Sequence, residues 1–309
     1  MNLQRLEAFE AIIRNDFNVS RAAKELRQSQ PGVSKHLQLL EAELGVRLFT
    51  RKGRRLLGLS APGREVHRIA LRMLRDQVAL GAVARGFDEA ESGALTIATT
   101  HSQARYALPQ VLLEFRRRYP QVRVALHQGS PSQVVAEAIS GQADLCIATE
   151  GIRGEEELVS LDCYDWNRVA VVPREHPLSG NPRPTLAELA AYPIVTYDFA
   201  FTGRSQINAA FSAQGLRPQV VLSAIDADII KTYVALGFGV GLVAKMAYRA
   251  AVDVQLAAVD VAHLFQASTT AVGIARGAYL KGYVYSFIEL FAPHLKRQVV
   301  QDALHHSGS

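Results

Sequence analysis

The sequence predicts two architectures in succession. The first is an all-α head with a helix–turn–helix, a basic hairpin and a long following helix. The second is an α/β body in two lobes. Three observations carry this reading. Apolar residues recur at helical spacing through the first 88 residues, whereas beyond Gly93 short apolar runs alternate with helical patterns. The net charge of +5 lies entirely within residues 1–60, where 11 Lys and Arg face 6 Asp and Glu. A chain of 309 residues, 49% of them hydrophobic, is long enough for two or three domains with buried cores.

In chain order, Leu3 to Asn15 reads as a helix with Leu6, Phe9, Ile12 and Ile13 facing inward. A short helix follows, capped by Ser20, with Ala22, Ala23 and Leu26 on its small inner face. Ser29 caps the next helix, and Gln30 and Pro31 sit in its first turn, where the missing proline N–H costs nothing. Val33, Leu37, Leu40 and Leu44 form its buried stripe, and Gly45 ends it.

The opposite face carries Gln30, Ser34, Lys35 and Gln38, with His36 at its flank. Such side chains can hydrogen-bond base edges and phosphates, as a helix in a major groove must. Arg51, Lys52, Arg54 and Arg55 flank Gly53 in a turn, a basic wing able to follow a phosphate backbone. An ordinary solvated helical hairpin with a charged loop is the alternative these residues leave open. The charge distribution points to nucleic acid rather than to a membrane.

Pro62 to Asp88 reads as one long helix with two apolar stripes. One comprises Val66, Ala70, Met73, Leu80, Ala84 and Phe87, with Gln77 on the seam; the other comprises His67, Leu71, Leu74 and Val78. A single helix cannot bury both alone, which predicts pairing with a second copy; packing on its own chain is the other possibility. Glu89 to Gly93 is the predicted hinge.

Beyond it, strands are expected at Ala94–Thr99, Arg123–His127, Asp144–Ala148, Arg168–Val172, Ile194–Thr196, Gln219–Leu222, Val240–Val243 and Ala267–Ala275. Helices are expected at Gln103–Arg118, Pro131–Ser140, Leu186–Leu189, Ser205–Gln214, Ile225–Leu236 and Leu280–Phe291. This alternation predicts mostly parallel sheets covered on both faces. The expected domains are 1–60, 61–92 and 93–309. Within the last, lobe I takes 93–161 and 265–309, and lobe II takes 162–264.

Ligands of such folds sit where strand ends meet helix N-termini, whose free N–H groups hold an oxyanion without lysine. Thr99 to Gln103, Ala148 to Glu150, Phe201 to Arg204 and Gly129 to Ser132 all supply hydroxyl or amide groups at such places. The same residues could simply cap helices. Arg204 could meet a carboxylate ligand or pair with Asp198 or Glu150, the second being favoured.

No Ser/His/Asp spacing, metal-ligand spacing or cofactor fingerprint appears, so neither an enzyme nor a cofactor is expected. Cys146 and Cys163 read as buried thiols, Trp166 as core or lobe edge, and His305 and His306 as a frayed tail. With no signal-peptide pattern and no long apolar run, a cytoplasmic location is expected.

Leu6-Glu7-Ala8-Phe9, Ala22-Ala23, Ser29-Gln30-Pro31, Val33-Ser34, Leu40-Glu41, Leu44-Gly45, Leu48-Phe49 and Arg51 through Arg55 resemble the N-terminal domain of LysR-type transcriptional regulators. TTHSQARYALP (99–109), QGSPSQV (128–134), ADLCIATE (143–150), Cys163-Tyr164 with Trp166-Asn167-Arg168, and Phe201 to Arg204 resemble the CysB-like branch of that family.

The resemblance implies a winged helix–turn–helix, a dimerising linker helix and an effector domain similar to periplasmic solute-binding proteins. It further implies a tetramer on promoter DNA that contacts RNA polymerase. The genes controlled would serve sulfur assimilation, cysteine synthesis or sulfonate use. The implied DNA-binding residues are Ser29, Gln30, Pro31, Ser34, Lys35, Gln38, Arg51, Lys52, Arg54 and Arg55. The implied effector-binding residues are Thr100, Ser102, Gln103, Thr149 and Thr202, with sulfate, thiosulfate, O-acetylserine or N-acetylserine as effector. Ser102 stands where the branch more usually has threonine, keeping the hydroxyl and losing a methyl. A regulator answering another effector, such as an aromatic acid, and a solute-binding protein are the rival readings; the basic head disfavours the second.

Overall fold

The computed structural model describes residues 2–53, 55–84, 92–149, 151–199 and 204–306. The chain forms two compact units, Met1–Asp88 with Ser140–Gln142 and Glu89–Ile139 with Ala143–Ser309.

In the first unit, helix α1 spans Leu3–Arg14, α2 Val19–Glu25 and α3 Gln30–Leu44. Asn18, not Ser20, caps α2: its side chain accepts from the N–H groups of Ser20 and Arg21, each at 3.1 Å. Asn is as good a cap as Ser, and starting the helix one turn position earlier places Ser20 inside it. Ser29 caps α3 through the Gly32 N–H at 3.2 Å, and Gly45 closes it in the left-handed conformation at φ 70°.

Strands β1 (Phe49–Lys52) and β2 (Arg55–Leu59) pair antiparallel across a turn where Gly53 has φ 60°. Leu6, Phe9 and Ile12 meet Val33, Leu37, Leu40, Leu48 and Phe49 in one core, with the Phe9 and Phe49 rings edge-on at 5.3 Å. Each such side chain contributes about 2 kcal/mol by leaving water.

Helix α4 (Ala61–Ala84) lays Val66, Ala70, Met73 and Leu74 on this same core, and His67 contacts Glu10. Its first three turns therefore pack on their own chain. Farther along, Leu80 is 72% exposed. Phe87 and most of the Glu89–Gly93 hinge fall outside the described residues, as do the side chains of Val78 and Ala84.

The second unit holds two five-stranded sheets. Sheet I, in order β4-β3-β5-β12-β6, uses Gln121–Gln128, Ser92–Thr99, Leu145–Ala148, Ser268–Ala275 and Leu158–Trp166. Sheet II, in order β11-β7-β10-β8-β9, uses Leu256–Asp260, Arg168–Pro173, Val240–Ala244, Ile194–Tyr197 and Val220–Ala224.

The sheets are mixed rather than mostly parallel. Strands β4-β3-β5 and β10-β8-β9 run parallel, while β12, β6, β7 and β11 add antiparallel pairings. The antiparallel strands are those that carry the chain between lobes. Strand β6 stays in sheet I through Trp166, so the outward crossing occurs at Asn167 rather than at residue 162. The return passes Gln266 and Ala267.

Covering helices are α5 (Leu108–Arg118), α6 (Pro131–Ser140), α7 (Leu186–Ala190), α8 (Arg204–Ala213), α9 (Ala227–Ala235), α10 (Gly282–Phe291) and α11 (Arg297–His306). His305 and His306 thus belong to the last turn of a helix, anchored by buried Val300, instead of a frayed tail. Phe115, Phe287 and Ile97 lie in the core of lobe I, and Phe211, Ile194 and Leu242 in that of lobe II.

Cys146 and Cys163 are both free and buried, and burial pushes each thiol up to about 12. Among the described residues no helix is long and apolar enough to cross a membrane.

Candidate functional sites

The outer face of α3 presents Gln30, Pro31, Lys35 and Gln38 exposed, with Ser34 half-buried among them. The inner face is locked by Val33, Leu37 and Leu40, so rotation about the helix axis is not available to hide those groups. On the wing, Lys52 and Arg55 are exposed, and Arg54 lies outside the described residues.

Arg51 behaves differently from its neighbours. It pairs with Glu41 of α3 at 2.7 Å, and Glu41 also accepts the Leu48 N–H at 2.8 Å. The wing is therefore pinned to the recognition helix by a wing residue, and the remaining Arg51 N–H groups stay outside that pair.

In the second unit, the C-terminal ends of β3, β4 and β5 lie side by side, with Thr99 opposite both Gln128 and Ile147. Thr100, Ser102 and Gln103 follow β3 and are all buried. Gln103 opens a π-helical turn, Gln103–Ala107, that leads into α5. Its amide is held at both ends: Nε2 donates to Thr270 Oγ1 at 3.0 Å, and Oε1 accepts from the Tyr164 hydroxyl at 2.5 Å. Thr270 Oγ1 lies 3.4 Å from Thr149 Oγ1, which also accepts Trp166 Nε1–H at 3.2 Å. Gln103 and Thr149, 46 residues apart in sequence, thus share one hydroxyl network.

Ser102 lies near the buried Tyr197 hydroxyl of lobe II, at the end of β8, which accepts the Ala244 N–H at 3.3 Å. Burial raises the Tyr197 phenol, keeping it a neutral partner. Thr202, Glu150, Phe201 and Gly203 lie outside the described residues. Arg204, at the start of α8, is buried; it donates to the Tyr197 carbonyl at 3.0 Å and to Asn208 Oδ1 at 2.9 Å, its face against Phe199. That is a structural use of its charge, made through neutral oxygens. Burial lowers its pKa, with Asp198 acting the other way.

Several groups here were given no role in the sequence analysis. Arg168, 1% exposed, donates to the Gln266 carbonyl at 3.3 Å and to Gln206 Oε1 and Ser268 Oγ at 3.0 Å. It therefore ties both crossings to α8, and its guanidinium lies 5.2 Å from the centre of the Trp166 ring. Thr270, Tyr164 and Tyr197 complete the buried polar lining. Only the hydroxyls interrupting apolar strands signalled them, and any strand residue of that type reads alike.

His101, whose Nδ1 contacts Gln128 Oε1 at 2.8 Å, brings a ligand atom within 4.8 Å of Asp226 and Asp228. Those three residues would be the place for a cation. Asp226, however, caps α9 through the Ile229 N–H, and Asp228 is bound by Arg105, Tyr106 and Lys231. The group is better described as a polar seam between lobes.

A helix–turn–helix with a basic wing, joined in one chain to a two-lobed α/β domain whose facing edges carry buried hydroxyls, defines a ligand-responsive DNA-binding regulator. Residues 3–64 match the bacterial regulatory helix-turn-helix protein, lysR family, and residues 88–296 match the LysR substrate binding domain. The chain belongs to the LysR family of transcriptional regulators, proteins that bind DNA and a small-molecule effector and are not enzymes.

It is 50% identical to the HTH-type transcriptional regulator SsuR of Burkholderia cenocepacia over 304 residues, 98% of this chain and 99% of that one. It is 48% identical to CysB of the same organism, over 98% and 97% of the two chains. The crystal structure of the cofactor-binding domain of the Cbl regulator superposes with a TM-score of 0.67 at 42% identity, covering 69% of this chain and 93% of that one. These are the CysB-like regulators.

Proposed function

We propose that this regulator activates genes of sulfur assimilation, cysteine synthesis or sulfonate use, in response to a small anion or an acylserine bound between the lobes. The observation that carries the reading is the hydroxyl network of Gln103 and Thr149, formed by side chains just past the C-terminal ends of β3 and β5. It stands in a chain about half identical to SsuR and CysB along nearly its whole length.

Thr100, Ser102, Gln103, Thr149 and Thr202 bind the effector. Hydroxyl and amide donors with strand-end backbone N–H groups hold an oxyanion by hydrogen bonds alone. Sulfate, thiosulfate, O-acetylserine and N-acetylserine carry the matching acceptors. Gln30, Ser34, Lys35 and Gln38 read base edges, while Lys52, Arg54 and Arg55 meet phosphates, with Arg51 holding the wing in place and Ser29 and Pro31 setting the helix start. Two dimers, paired through the exposed part of α4, form a cytoplasmic tetramer on the promoter and contact RNA polymerase. The effector acts by binding one lobe arrangement better than another; equal affinity for both would shift nothing.

The test is calorimetric titration of the full-length chain with those four compounds and with benzoate. Heat from a sulfur-linked or acylserine ligand, lost in Thr100→Val/Thr202→Val, supports the assignment. Silence from all four with a response to benzoate replaces the effector class while leaving the regulator intact.

A further inference from the structure

Thr100 to Tyr106 is a seven-residue stretch that carries two kinds of contact. Its first part supplies the proposed effector ligands. Its second part, Arg105 and Tyr106, leaves lobe I altogether and grips lobe II. The Tyr106 hydroxyl donates to Asp228 Oδ1 at 2.7 Å, and Arg105 Nε donates to Asp228 Oδ2 at 3.1 Å. The Tyr106 ring packs against the lobe II core and lies 5.4 Å from Lys231 Nζ.

Lys231 is itself fixed. It is 6% exposed, donates to the Ala247 carbonyl at 2.8 Å, and pairs with Asp253 at 3.0 Å and Asp228 at 3.2 Å. The lobe II half of the contact is thus tied together by lobe II residues. The connection between the two parts is the π-helical turn, in which Leu108 N–H reaches back to the Gln103 carbonyl. A π turn holds one more residue than an α turn, and such turns recur at functional sites. Rewinding it would swing Arg105 and Tyr106 relative to Gln103.

We infer that Tyr106 and Asp228 are positioning residues for the effector response, forming a clasp that holds the two lobes together and is coupled to the effector site by the π turn. Tyr106 is the principal element because its hydrogen bond to a carboxylate is half-buried and backed by Lys231. Arg105 contributes less, since its own side chain is 54% exposed. Against the upward push of burial, the Tyr106 and Lys231 contacts hold the Asp228 carboxyl below its usual range, so the acceptor is charged at neutral pH. The coupling to effector affinity rests on the site proposed above; the clasp itself does not.

Hydrogen exchange on the full-length, ligand-free chain tests it. Tyr106→Phe and Asp228→Asn should each speed exchange about three- to tenfold in both flanks, residues 100–108 and 224–230. The double variant should exceed Asp228→Asn alone by little, because the two changes act on one shared contact; Asp228→Asn should exceed Tyr106→Phe, since it also weakens the Arg105 and Lys231 pairs. Arg105→Ala should have a smaller effect. Unchanged exchange in either flank with Tyr106→Phe, or additive effects in the double variant, overturns the clasp.

A sulfate titration of the same variants reads the coupling. Tyr106→Phe should raise the sulfate concentration needed for half-saturation, because fewer molecules are binding-competent. If the unaltered chain does not bind sulfate, the proposed effector fails, and the exchange experiment still decides the clasp.

Discussion

Replacing Gln103 by leucine separates a structural from a purely ligand-binding role for the most deeply buried of the proposed effector residues. Gln103 is 1% exposed, and leucine is close to it in volume, so no large cavity forms. The loss is polar. The Tyr164 hydroxyl loses its acceptor and Thr270 loses its donor. Leaving a buried polar group unsatisfied costs about 1–3 kcal/mol, and Thr270 retains Thr149 as a partner, so the sum is about 2–4 kcal/mol.

For a unit of this size that lowers the melting temperature by roughly 5–15 °C. Trp166, the only tryptophan, bonds Thr149 within the same network, so its fluorescence follows this unit specifically. Tyr164→Phe alone removes one hydroxyl and should cost about 1 kcal/mol. In the Gln103→Leu background it should cost less than in the native chain, because its Gln103 acceptor is already gone. A Gln103→Leu loss below about 0.5 kcal/mol, or full additivity with Tyr164→Phe, would refute the network as a stabilising element.

Further outcomes are expected elsewhere. Gln30→Ala or Ser34→Ala should lower operator affinity by about 1–2 kcal/mol while leaving random-sequence DNA nearly unaffected, as measured by competition binding; equal losses on both count against base reading. Glu41→Ala should free Arg51 and loosen the wing, steepening the salt dependence of nonspecific binding if the released cation gains a phosphate; a steady slope counts against that release. With pKa values near 12, Cys146 and Cys163 hold about one thiolate in ten thousand at pH 8, so alkylation should be slow in the native chain and rise as pH rises toward 12. Rapid native alkylation at pH 8, followed by mass spectrometry, would contradict their burial.

Much of the head was legible because its determinants are local. Helix α3 follows from Ser29, the Val33–Leu37–Leu40 stripe and Gly45, all within seventeen residues, and cap, period and stop agree. The misplaced cap of α2 shows the limit of such reading: Asn18 and Ser20 are both good caps, and the backbone at Asn18 chose between them. In the body, the parallel strands β3, β4 and β5 and their helices were legible as alternating apolar runs. Strand β6 was not, since Ser160, Asp162 and Asp165 break its apolar run and it is satisfied by pairing with a strand more than a hundred residues away.

By itself the sequence determined where the positive charge lies, which face of α3 stays wet, and that Thr100, Ser102, Gln103 and Thr149 end their strands. Each depends on periodicity or on neighbours a few residues off. Tertiary structure alone decided what those groups touch. Gln103 meets Thr270 across 167 residues, Arg168 binds both lobe crossings, and Asp228 receives Tyr106 from the other lobe. The physical reason is that a buried polar group must find a partner wherever the fold supplies one, and nothing in local spacing names it.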